Sequence, residues 1–83
     1  MNFHGWIALP LEVMAKENGI NISADSIECG QFVEVMLQIL KFKKVSSKDF
    51  ENKCLPYQGK TVFEISEIKA FELYDDFKLL IKS

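Results

Sequence analysis

The sequence predicts a mostly α fold: a small single-domain bundle of about four helices around a central apolar helix near residues 26–44. Three observations carry this expectation. Residues 26–42 place apolar side chains at helical spacing and leave only a narrow polar strip. Breaks are sparse, with Gly19, Pro56 and Gly59 as the main ones, so short turns join the elements. Finally, 83 residues at 48% apolar and 27% charged content supply one core and no more, and exclude disordered, collagen-like and low-complexity chains.

The central helix is the clearest element. Asp25 followed by Glu28 reads as an N-cap with its capping-box partner, which starts the helix at Ser26. Cys29, Phe32, Val33, Met36, Leu37 and Leu40 then follow the i, i+3, i+4, i+7 pattern, and Val35, Ile39 and Phe42 widen the stripe. Gln31, Glu34, Gln38 and Lys41 form the polar strip, and Lys41, Lys43 and Lys44 suit the negative end of the helix dipole. Upstream, Pro10 suits a first helical turn and Gly19 the C′ position, with Leu11, Met14 and Ala15 on one face and Ile20 packing back. Residues 2–8 fit a short strand, an extended arm or a helical turn broken at Pro10. A short helix from Ser47 to Cys54 and a Pro-Tyr-Gln-Gly turn complete the middle of the chain.

Two readings compete for the last third. Thr61-Val62-Phe63-Glu64 is a capping box, and Val62, Ala70, Leu73, Tyr74, Phe77, Leu80 and Ile81 share a helical stripe. The alternative is α+β, with a C-terminal β-hairpin over residues 61–81 turning at Asp75-Asp76. That turn lacks the Gly or Asn of two-residue loops, and its faces mix Glu72 with Leu79 and Lys78 with Leu73. The helix is the better fit.

Catalytic chemistry finds little support. His4 is the one histidine, Cys29 lies on the central apolar stripe and Cys54 one turn after Phe50, so both thiols read as small buried hydrophobes. No CxxC, HxxxH or HExxH occurs and no glycine-rich loop cradles a phosphate, so no metal and no cofactor are expected. The charge-free run Met1–Leu11 is shorter than the roughly 20 residues of a membrane span and lacks a basic leader, and two scattered cysteines make no disulfide framework. A cytoplasmic protein with no membrane partner is the expectation. All ten basic residues are Lys, and the net charge is −2, which disfavours nucleic acid as a partner.

What remains is surface character. Residues 11–34 carry five acids against one lysine, and residues 41–53 five lysines against two acids. On the C-terminal helix, Ile65, Ile68, Phe71 and Leu79 fall among acids, outside the core stripe. An apolar centre with a charged rim has the anatomy of a protein-binding surface. The candidate contact residues are Glu64, Glu67, Ile68, Phe71, Glu72, Asp75 and Asp76. In size, acidity and aromatic content the chain resembles bacterial immunity proteins that neutralise toxins, often basic nucleases, and small phage-encoded inhibitors; the resemblance rests on composition alone. It implies a small acidic binding protein that occludes a partner's active or substrate-binding surface, the partner being encoded nearby. Alternatives are a regulatory or structural subunit that acts as a homo-oligomer, and a nucleic-acid module using the Lys41–Lys53 cluster.

Overall fold

Six of the eleven residues of the central helix α3 (Phe32–Phe42) are buried: Phe32, Val33, Val35, Met36, Ile39 and Leu40. A helix this apolar has to be covered on several sides, and the rest of the fold does so. The computed structural model describes residues 3–82, so Asn2 of the undecided 2–8 stretch lies outside it. In chain order, a π turn (His4–Ala8) leads into α1 (Leu9–Glu17), followed by the single turn α2 (Ala24–Ser26), α3, α4 (Lys48–Cys54), a 3-10 turn (Leu55–Tyr57) and α5 (Glu67–Lys82). The fold is the expected small helical bundle. Among the described residues there is no strand, so the hairpin alternative for residues 61–81 is overturned. Its Asp75-Asp76 turn lies inside α5.

Pro10 does not break the first helix. Ahead of it the Leu9 N–H reaches back five residues to the His4 carbonyl, and this π turn resets the hydrogen-bond ladder around the donor that proline lacks. The expected Schellman end forms at Gly19 (φ +78°): the Gly19 N–H donates to Lys16 O at 3.0 Å and the Ile20 N–H to Ala15 O at 2.8 Å, with Ile20 buried. The same motif ends α3 with Lys44 in the left-handed region at φ +58°, where the Val45 N–H donates to Leu40 O at 2.9 Å.

The start of the central helix differs from expectation. Ser23, not Asp25, is the cap, its Oγ accepting from the Ser26 N–H at 3.2 Å. The helical run then kinks at Cys29 and Gly30, where Gly30 takes φ +116°. A periodicity carried through a kink loses its phase, so Cys29 is exposed rather than on the buried stripe, and Gly30 takes the inner position. A Cβ at Gly30 would lie 3.3 Å from the Gly59 carbonyl oxygen. The 59–62 segment is fastened to the kink there: the Gly59 N–H donates to Glu34 Oε2 at 2.7 Å and the Val62 N–H to Glu28 O at 3.0 Å. Leu37 is half-buried and Phe42 exposed at the far end of α3.

The start of α5 is also later than the capping box implied. Glu64 Oε1 does accept from the Thr61 N–H at 2.8 Å, but only one turn forms, which buries Val62 and Ile65. Ser66 then caps α5, its Oγ accepting from the Lys69 N–H at 3.1 Å. The core is one contiguous cluster joined by aromatic contacts: Phe3 meets Phe32 edge-on at 5.1 Å, and Phe50 of α4 and Tyr74 of α5 flank Phe77 at 6.5 and 6.2 Å. The radius of gyration, 11.4 Å, matches the about 12 Å of a well-packed chain of this length, so no element stands away from the core.

Candidate functional site

The core stripe of α5 (Ala70, Leu73, Tyr74, Phe77) leaves the opposite side of the helix to solvent. Along that side Ile68, Glu72, Asp75 and Leu79 follow at i, i+4, i+7 and i+11, which is one helix face. Ile68 is 70% and Leu79 67% exposed. Phe71 sits on the flank, half-buried and packed against the core, and is a supporting residue rather than an outward one. Glu67 is exposed in the first turn of α5, and Glu64 is exposed in the turn before it. Ile65, also considered for the patch, is buried.

The acids of this face are engaged within the chain. Glu72 pairs with Lys69 at 3.0 Å, Asp75 with Lys78 at 3.7 Å, and the half-buried Asp76 with Lys53 of α4 at 3.0 Å. Lys69 is held above the ordinary lysine value, first by its hydrogen bond to Glu72 and then by that carboxylate's charge. Lys78 also lies 4.8 Å over the Tyr74 ring. The fringe is therefore a set of neutralised pairs on the helix itself, and Asp76 faces α4 instead of the Ile68–Leu79 line. The fold brings Ile68, Glu72 and Asp75 onto one line and leaves Glu64 and Glu67 at its N-terminal end. At that end Phe63 is 89% exposed, beside Glu64. The Thr61 backbone N–H, then the Thr61 side chain, hold the Glu64 carboxyl below the usual value, so it is ionised at neutral pH.

A second outward stripe was missed in the sequence. Trp6, Leu9 and Val13 follow at i, i+3 and i+7, with Trp6 68% and Val13 57% exposed. Its core-facing counterpart is Ile7, Ala8, Leu11 and Ala15, all fully buried. The readable signal was the excess of apolar residues over 3–15, more than one face of a helix can bury.

Of the groups that could do chemistry, Cys54 is fully buried, and burial, with the charges of Asp76 and Glu34, pushes its thiol up to about 12. That is the wrong direction for a nucleophile. His4 Nδ1 donates to Glu28 Oε1 at 3.0 Å, and one ligand atom each from His4, Asp25 and Glu28 lie within 4.8 Å of one another. A cleft of about 450 Å³ adjoins His4 and Glu28, bordered also by Phe3, Val62, Phe63 and Glu67. A larger hollow of about 560 Å³ at the end of α3 is edged by Lys41 and Lys44 but also by Glu51, while Lys53 is committed to Asp76. The lysine cluster is thus divided rather than continuous. No described helix is long and apolar enough to cross a membrane. No family model, no curated protein and no solved structure matches the chain.

Proposed function

We propose that the chain is a small non-catalytic binding protein that covers the working surface of a protein partner with the outer face of α5. The observation that carries this reading is the exposure of Phe63 and Ile68 beside Glu64 and Glu67 at the N-terminal end of that helix. Two large apolar side chains held out by an ordered turn and helix are anchors that a partner's hollow can desolvate, and adjacent carboxylates favour a basic rim around it. Glu72, Asp75 and Asp76 are already paired with lysines along the rest of the helix. A basic partner such as a nuclease toxin encoded nearby, neutralised by occlusion in a cytoplasmic setting, is the specific form of the reading. Co-purification with the neighbouring gene's product tests it. Ile68→Glu is expected to weaken the complex at least tenfold, about 1.4 kcal/mol, with the melting temperature unchanged. Undiminished binding by that variant refutes the α5 surface.

The Trp6–Leu9–Val13 stripe favours a second reading, a subunit that buries this face against a second copy of itself. Sedimentation mass separates the two: a concentration-independent monomer removes the second reading.

A further inference from the structure

We infer that His4, Asp25 and Glu28 form a binding site for one divalent transition-metal cation of the zinc class, on the rim of the cleft beside Phe63. This goes beyond the proposed binding function and does not depend on it. The three residues come from two segments that the fold pins together. His4 opens the π turn ahead of α1, while Asp25 in α2 and Glu28 just ahead of the kink stand one turn apart. Glu28 is fixed from behind, because its backbone carbonyl accepts from the Val62 N–H at 3.0 Å, and α2 is fixed by the Ser23 cap.

The donor set is one imidazole nitrogen and two carboxylate oxygens, a combination that suits zinc and its neighbours and leaves coordination positions open. His4 Nδ1 and Glu28 Oε1 stand 3.0 Å apart. Two tetrahedral ligand atoms at roughly 2.0–2.2 Å from one cation lie about 3.3–3.6 Å apart, so a small outward shift of the half-exposed imidazole admits the ion. The Asp25 ligand atom lies within 4.8 Å of both, and Asp25 is exposed, so rotation of its side chain closes the set. Binding takes the Nδ1 lone pair, so the hydrogen bond to Glu28 is given up and the neutral ring carries its one N–H on Nε2. Two carboxylates with that neutral imidazole balance the dication. The excess of acids over residues 11–34 favours a cation here. His4 and Glu28 both line the 450 Å³ cleft, which has room for water or a small anionic ligand beside them. Motif reading excluded metals because it looked for ligands on one element; 24 residues separate His4 from Glu28.

The test is titration of the full chain with zinc chloride, read by calorimetry and by the imidazole resonances of His4, which are unambiguous because the chain has one histidine. One equivalent is expected to saturate both signals. His4→Gln and Asp25→Asn, both at partly or wholly exposed positions that leave the core intact, are each expected to weaken binding more than tenfold. Cys29→Ser is expected to leave it unchanged. An imidazole signal unmoved at one equivalent, equal affinity in His4→Gln, or loss of binding in Cys29→Ser overturns the site; the last outcome would move the zinc to the exposed thiol.

Discussion

The first and last helices both turn apolar side chains outward, but in different electrostatic company. On α5, Ile68 and Leu79 are separated by Glu72 and Asp75, each paired with a lysine three residues away. On the N-terminal helix, Trp6, Leu9 and Val13 follow one another with no charged residue on their line until Lys16. Single apolar side chains among ion pairs are ordinary protein surface, whereas an uninterrupted stripe asks for cover. The α5 face can therefore stay open to solvent, and the first helix is the better candidate for a lasting contact. Phe63, beside the start of α5, turns one end of that helix from ordinary surface into an anchor.

The sharpest way to break this comparison is to exchange inner for outer residues. Leu11→Ala and Phe77→Ala, both in the core, are expected to cost about 3–5 kcal/mol each in urea unfolding. Leu9→Ala and Ile68→Ala are expected to stay within about 0.5 kcal/mol. Comparable costs on both sides would show that the outward stripes are in fact packed. Next in size is Gly30→Ala. A residue at φ +116° with its Cβ 3.3 Å from the Gly59 oxygen is strained whatever its neighbours do, and we expect a loss of about 1–3 kcal/mol. An unchanged unfolding midpoint would mean that the kink relaxes freely.

A smaller effect appears in alkali. The buried Cys54 thiol is raised to about 12, so the fold favours its protonated form. That contribution is complete below the unfolded thiol's value, about 8.5, and is lost as pH rises toward 12. Wild type is therefore expected to lose more stability than Cys54→Ala across that window, and parallel curves would contradict the assignment. Smallest in stability, though not in association, is Trp6→Glu. Folding should be unaffected, and any dimer present at micromolar concentration should dissociate by sedimentation. A dimer that survives would place its contact elsewhere.

Much of the fold was legible because long periodic segments dictate their own burial: Phe32, Val33, Met36 and Leu40 were assigned inward from spacing alone and are buried. The local cap at Gly19 with Ile20 was equally readable, and the short helix expected from Ser47 to Cys54 forms with Ser47 as its cap rather than its first residue. What escaped depends on contacts between distant segments. The kink at Gly30 is stabilised by Gly59 and Val62, so a pattern continued through it put Cys29 on the wrong face. Helix α5 begins at Glu67 because Ser66 offers a second cap after Val62 and Ile65 have turned inward, which the Thr61–Glu64 box could not disclose. The candidate surface was legible as composition, an apolar set among acids. Which acids were already paired was not, since Lys53 reaches Asp76 across 23 residues.

The most direct test is the affinity of the wild type for the neighbouring gene's product, measured beside Ile68→Glu and Trp6→Glu at matched folding. The account predicts that Ile68→Glu loses at least tenfold while Trp6→Glu binds as wild type. Equal affinity for all three, or loss confined to Trp6→Glu, would contradict it.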